Sequence, residues 1–278
     1  KKQKINKMND NFKKNLNKVY TFQFKNSFRP LPPGQIRFHK KNFLYYFNCS
    51  LKEFKNKKIL DTGAGPGVHS TILALMGADV YAADILKNNI KIIKRFKKFY
   101  NLDNLRFKIH DFRNEFKGIN TFDLISCHNW IQHTSNPGDV FNKLVKNMRI
   151  GAKIYISCYL ANTFRFYITW ISRKILKFSD FNFLVHKIPE VFPKKFLNYK
   201  NLTHINKTNI TDDFFSPYVV TISYNELLRL AALSGLKPHT IIPKKKKYYN
   251  IDTQELKIGF IKIRKTKKQF KKNYFSQP

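Results

Sequence analysis

Acidic side chains are scarce in this sequence: 17 Asp and Glu stand against 53 Lys and Arg, and the formal net charge is +36. A surplus of that size points to nucleic acid or an anionic membrane surface as a partner. Arginine, whose planar fork suits bidentate phosphate contacts, is nevertheless sparse beside lysine. Lys, Asn, Ile and Phe are abundant together, the profile that A/T-rich codons impose. Compositional drift and a functional anionic partner, either nucleic acid or a peripherally touched membrane, therefore both stand as readings. Cysteine is nearly absent. Cys49, Cys127 and Cys158 are odd in number and form no CxxC pair, which argues against a disulfide framework and a zinc knuckle, so no metal site is expected. No apolar run reaches the roughly 18 residues that a membrane span needs. The first residues also lack the apolar core of a secretion signal. The default expectation is a cytoplasmic protein in a reducing compartment, without a transmembrane segment.

What is present is a globular middle. An apolar fraction of 42% over 278 residues supports one α/β domain with an insertion in preference to two small domains. Residues 1 to about 28 read as a loosely attached basic arm, and Pro30, Pro32, Pro33 and Gly34 are expected to break any helix there. Aromatics from Phe43 to Phe54 suggest a helix over the sheet edge. Lys58-Ile59-Leu60-Asp61 is short, apolar and followed at once by glycines, as a buried parallel strand should be. Ile72, Leu75 and Met76 recur at helical spacing, and Gly77 follows where the helix would end. Val80 to Asp84 gives a second strand, and Ile92, Phe96 and Phe99 mark a second helix. A third strand runs from Leu105 to Asp111, a fourth from Phe122 to Cys127 and a fifth from Lys153 to Tyr159. The rhythm then breaks. It resumes at Ser223-Tyr224-Asn225-Glu226, a capping box opening a helix that runs to Gly235, and late strands are expected near Thr240 to Ile242 and Leu256 to Ile263. Such alternation implies an α/β fold with a doubly wound, Rossmann-like, mostly parallel sheet and an insertion after the fifth strand.

The chemistry concentrates at Asp61-Thr62-Gly63-Ala64-Gly65-Pro66-Gly67. A ligand approaches backbone closely only where side chains are absent, and tight strand-to-helix turns often need positive φ; glycine meets both needs. Asp61 lies at the end of the first strand, Asp84 at the end of the second and Asp111 at the end of the third. In a doubly wound sheet those ends open on one crevice.

The stretch ILDTGAGPGVHSTILALMGADVYAADI resembles the first two cofactor motifs of class I S-adenosylmethionine-dependent methyltransferases, and FKIHDF and FDLISCHNWIQHTSNP resemble the next two. The family pattern FDLVxxxxVLHHxxxP is met by Phe122, Asp123, Leu124, His133 and Pro137, while Gln132 replaces its first His. The resemblance covers about residues 56 to 160 and resumes at 223 to 263. A nicotinamide oxidoreductase, the nearest competitor on this fold, wants G-x-G-x-x-G, and here the third glycine comes one residue early at Gly67.

The resemblance implies S-adenosylmethionine as cofactor, with Asp61, Gly63, Ala64, Gly65 and Gly67 around its methionine part. It also implies Asp84, with Ile85 beside it, at the ribose hydroxyls, Asp111 at the adenine amino group and Phe112 packed beside the base. A carboxylate accepts hydrogen bonds without donating, which suits a diol or an exocyclic amine. Cys127 would be a small strand-end residue lining the site, and His128 and His133 are the candidate bases should the acceptor be a hydroxyl. No NPPY-like tetrapeptide or Pro-Cys pair follows the fourth strand, which speaks against amino-methylation of bases and a covalent cysteine mechanism.

These features divide the chain into a basic arm and cap over 1–45, a cofactor-binding core over 46–160, a lid or substrate insertion over 161–220, closing elements over 221–265 and a basic tail over 266–278. Within the insertion Phe164, Phe166, Tyr167, Trp170 and Ile171 mix with basic residues, and Tyr218 is a further candidate to face the substrate. The expected acceptor is a small molecule: a lipid, a quinone precursor or a sugar-linked metabolite. RNA methylation through the basic ends and a non-catalytic cofactor-binding scaffold remain as alternatives.

Overall fold

The apolar segments read as strands assemble into one sheet, and the carboxyl ends of the first five share an edge. The computed structural model describes residues 28–160, 219–242 and 255–266, with residues 14, 17, 19–21, 24, 167, 170, 171 and 216. Strands β1 (Lys58–Thr62), β2 (Asp79–Asp84), β3 (Leu105–Ile109), β4 (Leu124–His128) and β5 (Lys153–Tyr159) run parallel. Strand β6 (Leu236–Ile242) and strand β7 (Glu255–Lys262) complete the order β3-β2-β1-β4-β5-β7-β6, with β7 antiparallel to both its neighbours. The chain leaves β1 towards β2 and β3 and then crosses to β4 and β5, so the sheet reverses direction between β1 and β4. An open α/β sheet offers its ligand crevice at such a switch point.

The helices are α1 (Pro33–Phe47), α2 (Leu51–Phe54), α3 (Val68–Leu75), α4 (Lys87–Phe99), α5 (Pro137–Lys146) and α6 (Tyr224–Leu233). On one face of the sheet Phe43 and Phe47 of α1, Ile72 of α3 and Ile93 and Phe96 of α4 bury against Val80 and Tyr155. On the other face Phe141 and Leu144 of α5 and Leu227 and Leu230 of α6 pack on Ile154, Ile156 and Phe260. The Ser223 and Glu226 capping box opens α6 as expected, each side chain bonding the other's backbone N–H.

Several local expectations differ from the fold. Pro33 was expected to stop a helix and instead begins α1. Proline is tolerated there because the first turn has no intrahelical partner for its missing N–H, and its φ is already helical. Two helices stand where one was expected between Phe43 and Phe54, because Asn48 at φ 45° ends α1 and the Ser50–Glu53 capping box starts α2. The division expected at residue 45 thus falls inside α1. Strand β6 starts at Leu236, well before Thr240, since Gly235 at φ 75° turns the chain directly out of α6. Most of the expected lid over 161–220, including Phe164, Phe166 and Tyr218, lies outside the described residues, as does the tail after Thr266. Among the described residues no helix is long and apolar enough to cross a membrane, and no cluster of His, Cys, Asp and Glu could hold a metal ion.

One buried cation ties the two helices on the second face together. The Lys262 Nζ donates to Val145 O at 3.0 Å, to Ser234 O at 2.6 Å and to Thr266 Oγ1 at 2.7 Å. Those carbonyls close α5 and α6, where the last turn has no partners of its own and carries partial negative charge. Burial pushes the ammonium pKa down to about 8 from its ordinary 10.5. Between those two values the unfolded chain holds a proton that the folded chain has released, so this site makes stability rise with pH there. Urea denaturation of the parent and of Lys262→Met across that range is expected to show a gap growing in the parent's favour as pH rises.

Candidate functional site

At the carboxyl ends of β1, β2 and β4 lies a cavity of about 400 Å³. Its floor is the turn after β1. Asp61, at the end of that strand, is buried and accepts from Ser70 Oγ at 2.5 Å, and desolvation raises its pKa to about 6. Ala64 N donates to Ala83 O at 3.0 Å, which pins the turn to β2. The three glycines of the turn have different tasks. A Cβ on Gly63 would lie 2.3 Å from Trp130 Cγ, and one on Gly67 would lie 2.4 Å from Ile93 Cγ1. These two positions are therefore required by packing within the protein. A Cβ on Gly65 would meet only Phe24 Cζ at 3.9 Å, so Gly65 alone faces open cavity.

Asp84 joins the turn to α4. Its Oδ2 accepts from Gly65 N at 2.9 Å, and its Oδ1 accepts from Leu86 N at 2.8 Å and Asn89 Nδ2 at 3.1 Å. Burial outweighs these donors and raises the pKa to about 6. Asp84, Ile85, Leu86 and Asn89 all line the cavity. Asp111 lies beyond the end of β3, and Arg113 grips it with Nε at 3.0 Å from Oδ1 and Nη2 at 2.7 Å from Oδ2. Phe112 is buried and its ring lies 5.2 Å from that of Trp130. Trp130 in turn donates through Nε1 to Thr62 Oγ1 at 2.9 Å and covers Gly63.

The two candidate bases stand in unlike settings. His128 Nδ1 lies 3.0 Å from the Tyr155 hydroxyl, and His69 meets its ring edge-on at 4.4 Å. Burial, and then the charges of Lys257 and His39, push its pKa down to about 3, so it stays neutral. His133 is buried in the loop after β4, with Nδ1 2.8 Å from Ser216 Oγ, and Tyr20 lies edge-on to its ring at 6.1 Å. Cys127 is fully buried in the core and does not line the cavity, and desolvation raises its thiol to about 12, so it is neither a wall residue nor a nucleophile. Gly67 likewise stands behind the turn, outside the lining.

Several wall residues had escaped the sequence reading: Tyr20 and Phe24 from the arm, His69, Asn89, His110, Arg113 and Trp130. Val19 is buried and Tyr20 reaches Ser216 Oγ at 3.3 Å, so at these positions the arm is fixed to the site and not loosely attached. Trp130 had a signal, since it sits between the two histidines of the same loop. Tyr20 had none, because nothing in its neighbourhood tells which face of the fold it meets.

A family model described as a methyltransferase domain matches residues 53–201, over half of the chain. This chain belongs to the class I S-adenosylmethionine-dependent methyltransferases. Among curated relatives, the mitochondrial ubiquinone biosynthesis O-methyltransferase of Schizosaccharomyces pombe is 30% identical over 111 residues, 40% of this chain and 39% of that protein. The ubiquinone biosynthesis O-methyltransferase of Coxiella burnetii (strain RSA 493) is 28% identical over 103 residues, 37% and 44% of the two chains. The match thus spans less than half the length of these relatives. In three dimensions PKMT2 from Rickettsia typhi superposes with a TM-score of 0.56 at 13% identity, covering 84% of this chain and 54% of that one. The magnesium protoporphyrin IX methyltransferase of Synechocystis gives 0.54 at 12% identity, covering 88% and 93%. At such identities the likeness concerns the fold.

The division of labour among the glycines has a measurable consequence. Gly65→Ala and Gly67→Ala both force alanine into a left-handed conformation, but only the second also drives a methyl group into Ile93. Chemical denaturation is expected to place Gly67→Ala about 1–3 kcal/mol below Gly65→Ala, the usual cost of overpacking. Equal losses would mean that the contact with Ile93 relaxes freely.

Proposed function

We propose that this chain transfers the methyl group of S-adenosylmethionine to a hydroxyl oxygen of a small apolar acceptor of the quinone-precursor kind. The observation that carries the reading is the cavity itself, which joins a buried carboxylate at Asp84 to a wall of Trp130, Phe24, Tyr20 and His133. The named activity of the two curated relatives supports the choice of oxygen and of acceptor class. The residues fit the cofactor. Space lies open in front of Gly65, one lone pair on Asp84 Oδ2 is left over after Gly65 N, and His110 Nε2 is buried at the wall with no partner.

Asp61, Gly63, Ala64 and Gly65 then border the methionine part, Asp84 holds the ribose, and Ile85 and Phe112 flank the base. The Arg113 fork neutralises Asp111, so we assign Asp111 the positioning of the Phe112 loop in place of a direct hold on the adenine amino group. Bound there, the cofactor supplies an electrophilic methyl on a sulfonium. Positive charge is dispersed in such a displacement, so the protein contributes mainly alignment and exclusion of water. Trp130, Phe24 and Tyr20 exclude water. His133 has Nδ1 at the Ser216 hydroxyl and Nε2 3.4 Å from Gln132 Nε2, and the acceptor hydroxyl takes the place of that amide when Nε2 accepts its proton. His128, tied to Tyr155 and neutral throughout the working range, serves as a polar wall.

Two outcomes follow from these assignments. His133→Ala is expected to lower kcat by about 10²–10⁴, the usual share of a general base, with cofactor affinity unchanged; an undiminished rate on a phenolic quinone precursor would remove the base role. Cofactor affinity measured by calorimetry is expected to fall as pH drops through about 6, where Asp84 protonates and stops being an acceptor-only group. The function itself is tested by product masses after incubation with labelled S-adenosylmethionine and polyprenyl catechols, and absence of any methylated product contradicts it.

A further inference from the structure

We propose that Asn89 is a second recognition group for the cofactor ribose, its side-chain carbonyl accepting one hydroxyl while Asp84 accepts the other. The inference rests on the cofactor reading above and deepens it. Asn89 lies in the first turn of α4, is buried and lines the cavity. Its Nδ2 donates to Asp84 Oδ1 at 3.1 Å, which fixes the amide orientation, since a flipped amide would set oxygen against a carboxylate oxygen. Its Oδ1 is consequently turned away from Asp84 and has no hydrogen-bond partner. A buried carbonyl without a donor is costly, and the fold itself offers this one nothing to accept from.

Asp84 Oδ1 has spent both lone pairs on Leu86 N and Asn89 Nδ2, and Oδ2 has spent one on Gly65 N. The carboxylate can therefore take a single hydroxyl of a diol while the turn stays intact. A vicinal diol brings two donors, and Asn89, whose enclosed Oδ1 is an acceptor without a partner, lines the same cavity as Asp84. Asn89 thus does two things at once: it orients Asp84 through its N–H and completes the diol site through its oxygen.

Calorimetry with S-adenosylhomocysteine and its 2′-deoxy and 3′-deoxy analogues separates these tasks. On the parent protein both analogues are expected to bind at least about tenfold more weakly, one lost hydrogen bond each; weakening of only one overturns the assignment without any substitution. In Asn89→Ala the penalty for one analogue is expected to vanish while the penalty for the other persists. If both penalties survive in Asn89→Ala, the residue only props Asp84 and the proposal fails. If S-adenosylhomocysteine itself does not bind the parent, it is the cofactor reading that fails.

Discussion

Three donors from two segments converge on the carboxylate of Asp84, and the site is organised around that convergence. Gly65 N comes from the turn after β1, and Leu86 N and Asn89 Nδ2 come from the start of α4. One buried acid therefore fixes the turn after β1 against the start of the next helix, along one wall of the crevice. Its burial raises its pKa to about 6, so the tie is anionic at neutral pH and weakens with acid. Charge held in a poorly solvated place is expensive unless it is well bonded, and here two of the three donors are backbone N–H groups of a tight turn and a helix start and the third is the Asn89 amide.

The glycine turn gains meaning from what surrounds it. Gly63 makes room for Trp130 and Gly67 for Ile93, so two of the three glycines serve contacts inside the protein, and Gly65 is left to face the cavity. Trp130 links the turn to the loop after β4 by packing on Gly63 and donating to Thr62. The same loop carries His128 and His133. Because the loop and the turn lock through one ring, the polar end and the aromatic end of the cavity hold a fixed relation, which a proposed transfer between two bound molecules requires.

Much of this was legible in the sequence because buried parallel strands are nearly continuous apolar runs, and Ile59 to Thr62 and Ile154 to Cys158 are buried along their whole length. The acids at strand ends were legible for the same reason: a polar residue that ends such a run sits at the crevice. What escaped depended on tertiary partners. Pro33 opens a helix whose benefit is the burial of Phe43 and Phe47 against the sheet. Asp111 bonds an arginine two positions along, which a reading by strand ends overlooks. Cys127, on the last stretch of β4, points into the core because a strand's side chains alternate and His128 takes the cavity side. Tyr20 and Phe24 line the cavity from a stretch of sequence whose basic, polar composition gives no sign of it.

The crevice beside Asp84 is proposed to hold S-adenosylmethionine. Equilibrium titration of the chain with S-adenosylhomocysteine, repeated on Asp84→Ala, tests it most directly. Saturable one-site binding is expected at neutral pH, abolished or severely weakened in Asp84→Ala. No saturable binding to the parent, or binding that Asp84→Ala leaves unchanged, would contradict it.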